Sequence, residues 1–308
     1  LMFTLAECYR VLKPKGLLYF TAINPQASSQ TSSQKFIIEQ VCPSFKSWAD
    51  LVALSNFNLI EAKGSFDDDE FKIEQSQIVK IVAEKCSSPQ LQARTKNSHI
   101  ASGAYDRLAP KYNEISGGEH YHVPLWLDSK FEKYVGLNPV ILDVGCATGT
   151  TGKILAAKNI VPYFLFGLDV SPNMVEICRE SKTYSAVACW DLNCGLLENK
   201  YMLYDLITAI GVLEFVDNLE LVFNDFRNCL KIGGEILFTL EANSHGRSIT
   251  TLKLQGGDFH RYAKSNSFVE SLLKKVNLEL VSLVQSEAYT SPTSGERVEY
   301  WYCHARKV

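Results

Sequence analysis

The sequence predicts an α/β fold, a mostly parallel, doubly wound sheet with helices on both faces over residues 103–308, preceded by a partial copy of the same fold over residues 1–86. Three observations predict it. β-like runs alternate with amphipathic helical runs after residue 103. A glycine-rich turn, Gly145–Gly149, follows the first of those runs. The chain also matches itself, because Arg10–Thr21 aligns with Asn228–Thr239 without a gap, each a helix end, a glycine turn and a strand.

In the first copy, the segment Trp48–Ile60 reads as an amphipathic helix running into a strand, as Phe268–Leu280 does in the second, and Gln77–Glu84 parallels Val298–Ala305. Residues 1–86 therefore read as the back half of a domain whose complete version follows. Starting at Leu1 within such a segment, the chain reads as part of something longer, and the incomplete half-domain is a candidate surface for association. Residues 87–102 are polar, carry Ser87-Ser88-Pro89 and lack apolar periodicity, so they read as a linker.

The complete unit begins with helices over Tyr105–Tyr112 and Leu125–Val135. Val140–Val144 is a strand, followed by a helix to about Lys158. Phe164–Asp169 is the second strand; Ser171 caps and Pro172 opens the helix that runs to Ser181. Ala186–Cys189 and Tyr204–Ile210 are strands, Leu219–Leu230 a helix and Glu235–Leu240 a further strand. Ligands on sheets of this kind bind at the carboxyl ends of the strands.

Composition narrows the function. A net charge of −3 with no long Lys/Arg run gives no field for a phosphate backbone, so nucleic acid is excluded as a partner. The most apolar stretch, Tyr201–Val216, is too short to span a bilayer and is broken by Asp205 and Glu214, so no membrane segment is expected. Nine cysteines without any C-x-x-C pair read as reduced thiols of a cytoplasmic protein. Cys189 and Cys194 have no ligand partners at metal spacing nearby, so no metal site is expected.

The turn Gly145-Cys146-Ala147-Thr148-Gly149 lets backbone approach a ligand while the next helix presents free N–H groups. Asp143, two residues earlier, would repel a pyrophosphate and suits an ammonium group. Asp169 stands at the strand end and distance at which an acid reads ribose hydroxyls, with capping of the Asp-Val-Ser-Pro turn as the structural alternative. Asp191 can accept from an exocyclic amine and Leu192 can lie along a purine face; an ordinary loop acid is the alternative for Asp191.

These residues resemble a family. Ile141–Gly149 is similar to the first motif of class I S-adenosylmethionine-dependent methyltransferases, Phe166–Met174 to their second-strand motif, Tyr204–Phe215 to their fourth-strand motif, and Cys229–Gly234 to the turn before strand five. The segment Tyr105–Asn113 with Tyr121–Pro124 resembles the entry segment of the Williams–Beuren-region methyltransferase-like group, and Arg261–Ser265 a substrate-side stretch of related bacterial proteins.

The resemblance implies a Rossmann-like seven-stranded sheet with its last strand antiparallel, and S-adenosylmethionine as cofactor. It places Asp143 and the loop Gly145, Cys146, Ala147 and Gly149 at the methionine portion, and Asp169 at the ribose, with Val170 and Met174 of the same motif in the site. Asp191 and Leu192 fall at the adenine, Ile210 and Val212 beneath the sulfonium, and Tyr112 closes over the cofactor. The family has glycine where this chain has Ala147, which requires a negative φ there. The acceptor is expected to be a small molecule. Glu214 and the histidines His120 and His122 are the candidate bases, against surface or capping roles for the histidines. Two other readings stay open: a non-catalytic cofactor-binding or regulatory module of the same fold, and a nicotinamide-dependent oxidoreductase using Gly145, Gly149 and Gly152.

Overall fold

A computed structural model of the chain describes residues 8, 12–13, 15–23, 57–64, 78–85, 96–116, 121–196, 204–243, 248–254, 257–290 and 297–308. Two compact units divide it: residues 1–90 with 197–203, and residues 91–196 with 204–308.

The first unit contains strands β1 (Leu17–Ile23), β2 (Phe57–Gly64) and β3 (Ile78–Lys85), antiparallel in the order β1-β3-β2. The helix expected from Trp48 lies outside the described residues.

The second unit opens with helix α1 (Lys96–Leu108), a 3-10 turn (Ala109–Lys111), α2 (Tyr112–Ser116) and α3 (Val123–Phe131). The remaining elements alternate as β4 (Val140–Val144), α4 (Thr150–Ala157), β5 (Phe164–Asp169), α5 (Pro172–Glu180), β6 (Ala186–Cys189), β7 (Tyr204–Ala209), α6 (Leu219–Cys229) and β8 (Leu230–Glu241). A hairpin, β9 (Ile249–Leu254) and β10 (Gly257–Tyr262), precedes α7 (Asn266–Lys275), β11 (Leu278–Thr290) and β12 (Arg297–Lys307). The main sheet runs β11-β12-β8-β7-β4-β5-β6. Strands β6, β5, β4, β7 and β8 are mutually parallel, and β12 is antiparallel to both β8 and β11. This is a Rossmann-like seven-stranded mixed sheet.

Burial follows the periodicity. β5 is buried along its whole length, as a central strand covered on both faces must be. Ile141, Leu165, Leu206 and Leu237 from four strands pack with Leu127, Phe131 and Leu155 from helices α3 and α4. Ser171 Oγ accepts from Met174 N–H at 3.1 Å and caps α5, with Pro172 in the first turn.

One expectation is corrected. The stretch read as a linker is helical from Lys96, and Asn97, Ser98, Ile100, Ala101 and Ser102 are buried. Asn97 explains it: its Nδ2 donates to His260 O at 3.1 Å and its Oδ1 accepts from His260 N–H at 2.8 Å, so polar residues are interred by partners far along the chain. The β9–β10 hairpin that supplies this partner had no strand reading.

The β1-β3-β2 sheet has the order and directions of β8-β12-β11. The registers agree once β3 is set against β12 one residue beyond the sequence match, Glu84 on Arg306 rather than on Ala305: Leu17 pairs with Glu84 and Glu235 with Arg306. Both sheets carry a bulge at the same step, Leu59/Glu61 in one and Leu280/Ser282 in the other. The turns before β1 and in β8 place Lys15 (φ 61°) and Gly233 (φ 78°) alike in the left-handed region.

Among the described residues no helix is long and apolar enough to cross a membrane.

Candidate functional site

Two cavities lie at the carboxyl ends of β4, β5, β6 and β7. The larger, about 750 Å³, is lined by Tyr105, Tyr112, Asp169, Asp191, Val212 and Phe215, among others. The smaller, about 430 Å³, is lined by Tyr112, Tyr121, Asp143, Cys146 and Thr151, among others. Tyr112, Gly145, Ala147 and Ile210 line both, so the cavities share a wall.

The loop after β4 is shaped by close packing. Gly145 has φ +71°, and a Cβ there would lie 2.6 Å from Cβ of Val212, so Val212 rests directly on the glycine. Ala147 has φ +45°, which corrects the expectation of a negative angle: a β-carbon is carried in the left-handed region that glycine tolerates. The position is fixed because Ala147 N–H donates to Asp169 Oδ2 at 2.9 Å. Thr148 Oγ1 donates to Asn113 Oδ1 at 2.6 Å and ties the loop to α2. Gly149 (φ +89°) is the N-cap residue of α4 and lines neither cavity.

Three carboxylates are buried here. Asp143 accepts from Thr208 Oγ1 and Tyr184 Oη, both at 2.6 Å, and from Thr151 Oγ1 at 3.1 Å. Burial pushes its carboxyl up to about 6, with the three hydroxyls pulling the other way. Asp169 accepts from Ala147 N–H and, through Oδ1, from Ser171 N–H at 2.9 Å; burial raises it to about 6 against those bonds. Asp191 accepts from Asn193 N–H at 2.9 Å and caps a 3-10 turn. Asp143 Oδ1 accepts twice, whereas Asp143 Oδ2 and both oxygens of Asp169 accept once here and keep a lone pair for a ligand donor.

Val170, Met174, Leu192, Ile210 and Val212 line the larger cavity. Cys146 contributes to the smaller one, while its side chain packs in the core with Val175, Cys178 and Cys189. The roof is held down by Asp106, whose Oδ1 accepts from Ser171 Oγ at 2.6 Å and from Asn173 N–H at 3.0 Å. Tyr105 packs edge-on against Tyr112 and Phe215, with ring centroids 6.5 and 5.9 Å apart.

Of the candidate bases, neither His122 nor Glu214 lines a cavity. His122 is exposed at the N-cap of α3, held by its backbone N–H donating to Ala288 O at 3.0 Å, and lines neither cavity. His120 lies outside the described residues. Glu214 is 1% exposed and lines neither cavity; its Oε1 accepts from Tyr300 Oη at 2.7 Å. Sequence reasoning missed Ser98, Ala101, Trp190 and Asn193 in the larger cavity. The first two fall in the stretch read as linker. Trp190, between Cys189 and Asp191, is the one that the strand-end rule could have found. Among the described residues no cluster of His, Cys, Asp and Glu could hold a metal.

The class follows from this geometry and from sequence comparison. Residues 142–236 match the family described as a methyltransferase domain. Among its relatives is a ubiquinone biosynthesis O-methyltransferase of Vibrio atlanticus (strain LGP32), 26% identical over 147 residues, covering 45% of this chain and 61% of the relative. A carboxy-S-adenosyl-L-methionine synthase 1 of Yersinia pseudotuberculosis serotype IB (strain PB1/+) is 34% identical over 85 residues, covering 26% of this chain and 35% of the relative. The chain thus spans about a third of one curated relative and under two thirds of the other. Among solved structures, the (4+2)-cyclase SpnF superposes with a TM-score of 0.51 at 16% identity, over 68% of this chain and 97% of that one, which shows the fold alone. The resemblance of the entry segment to the Williams–Beuren-region group finds no support in these matches, and the family match does not reach residues 1–86.

Proposed function

We propose that residues 91–308 transfer a methyl group from S-adenosylmethionine to a small-molecule acceptor. The observation that carries this reading is the pair of cavities with a shared wall. Asp169, Asp191 and Leu192 on the larger suit a ribose and a purine, and Asp143 on the smaller suits an ammonium group. The donor set fits this cofactor and disfavours a dinucleotide, whose pyrophosphate would lie beside the carboxylates of Asp143 and Asp169. When bound, the cofactor supplies a methyl group made electrophilic by a sulfonium. The protein's share is to orient the reactants and exclude water, which Tyr105, Tyr112 and Phe215 serve as a roof. The name of the Vibrio relative supports a small acceptor, as does the lack of a basic field.

Calorimetric titration with S-adenosylmethionine, S-adenosylhomocysteine and NAD tests the reading. Micromolar binding of the first two and none of the third is expected; absence of heat and of thermal shift with both sulfur ligands would sink it.

We further infer that residues 1–86 are a second copy of the last three strands of this fold. The matching order, register and bulge of the two three-strand sheets support it. The segment holds no counterpart of Asp143, Asp169 or the 145–149 loop, so it has no part in cofactor binding.

A further inference from the structure

Next to the larger cavity lies a buried polar group that cofactor binding leaves unused. Gly211 lines that cavity between Ile210 and Val212 and has φ +63°. A Cβ built on it would stand 3.6 Å from Tyr121 Oη and 3.9 Å from Tyr300 Oη, so two phenol hydroxyls converge on the space beside Gly211. Behind them Tyr300 Oη donates to Glu214 Oε1 at 2.7 Å, and the buried Oε2 has no partner among the described residues. Tyr289 meets Tyr300 edge-on at 6.2 Å and Tyr121 with tilted rings at 6.3 Å, closing the group from the β11 side. Arg261, ion-paired with Glu241, completes it with a buried Nε that likewise has no partner among the described residues.

Leaving a carboxylate oxygen buried and unpaired costs free energy. The arrangement makes sense if the carboxylate is neutralised during turnover. Neither Glu214 nor Tyr300 lines a cavity; Tyr300 Oη, 3.9 Å from the Cβ position of Gly211 in the wall of the larger one, is the nearer of the two to a ligand.

We propose that Tyr300 and Glu214 form a proton relay for a methyl acceptor that carries an O–H or N–H nucleophile beside Gly211. The proposal rests on the methyltransferase reading of this site. The acceptor's proton passes to Tyr300 Oη while Tyr300 passes its own to Glu214 Oε1. The tyrosine stays neutral and the carboxylate becomes a carboxylic acid. The acceptor's freed electron pair makes the new bond to carbon, and the pair of the broken sulfur–carbon bond remains on sulfur. Protons and charge balance without a further reactant. Tyr121 supplies the second hydroxyl that orients the nucleophile. An acceptor with no proton to lose, such as a tertiary amine or a thioether, would gain nothing from the relay.

The electrostatics agree. Burial raises the Glu214 carboxyl, with Arg261 and the Tyr300 bond pulling the other way, so burial favours its protonated form. Tyr300 is pushed well above its ordinary value by burial and by Glu214, which disfavours a free tyrosinate and favours concerted transfer.

The test compares two cofactor analogues on the full chain by calorimetry: S-adenosylhomocysteine, and sinefungin, which carries an amine where the cofactor has its methyl group. The amine enters the space beside Gly211 and donates to the relay. The wild-type protein should prefer sinefungin. Tyr300→Phe and Glu214→Gln should each reduce that preference roughly tenfold, with S-adenosylhomocysteine bound within about twofold of wild type. A merely structural tyrosine–glutamate pair would shift both ligands together. Preference retained in both variants overturns the relay. S-adenosylhomocysteine binding reports folding of each variant, and Tyr300→Phe, which keeps the ring, decides alone if Glu214→Gln does not fold. Failure of the wild type to bind S-adenosylhomocysteine would sink the methyltransferase reading itself, and the relay with it.

Discussion

The backbone N–H of Ala147 donates to Asp169 Oδ2 at 2.9 Å, so the carboxylate at the end of β5 holds the loop after β4 in its left-handed conformation. Asp169 is therefore both the cap of its own turn, through Ser171 N–H, and a wall of the larger cavity. The two alternatives weighed for it from sequence are compatible, because each oxygen has a second lone pair.

Replacing Asp169 separates these roles. Asp169→Ala should weaken S-adenosylhomocysteine binding by about 1.5–3 kcal/mol, the scale of hydrogen bonds to a charged group. Asp169→Asn, which keeps one acceptor, should lose less. Calorimetry checks both, and unchanged affinity in Asp169→Ala would leave the residue a cap only.

Ala147 pays a conformational penalty at φ +45°. For an L-residue the left-handed region costs about 1–2 kcal/mol, whereas glycine loses about 0.5–1 kcal/mol relative to alanine through unfolded-state entropy. The difference favours glycine, so Ala147→Gly should raise stability by up to about 1 kcal/mol and leave cofactor binding equal or tighter. Chemical denaturation with and without S-adenosylhomocysteine measures it; a clear loss of affinity would mean that the methyl group packs usefully on the ligand.

Asp143 and Asp169, each raised to about 6 by burial, set a pH dependence. A carboxyl whose folded value exceeds its unfolded one contributes stability that is present below the unfolded value and is lost as pH rises through the folded value. The ligand-free protein should thus lose stability from about pH 4 to about pH 6. An ammonium-bearing ligand favours the ionised Asp143, so the Tm increase caused by S-adenosylhomocysteine should grow between pH 5 and pH 7. In Asp143→Asn that growth should flatten, and a wild-type Tm increase independent of pH over this range would remove the assignment of Asp143 to the ammonium.

Deleting residues 1–90 should not alter cofactor affinity, because both cavities are built within the unit of residues 91–308. A folded 91–308 chain that fails to bind S-adenosylhomocysteine would show that the first unit contributes to the site.

The sequence alone determined the β–α alternation of residues 140–241, the glycine loop and the acids at the ends of β4, β5 and β6. Those features are local: periodicity, a capping serine before Pro172 and a residue's distance from a strand end are written in neighbouring positions. Tertiary structure decided the rest. The helix from Lys96 forms although its residues are polar, because Asn97 finds the backbone of His260, 163 positions away. Ala147 takes a positive φ because Asp169, from another strand, holds its N–H. Glu214 is held by Tyr300 Oη rather than lining a cavity, because β12 runs antiparallel along β8 and brings that hydroxyl to it. Such partners are fixed only when distant segments meet, and burial then decides which polar groups must be satisfied and by whom.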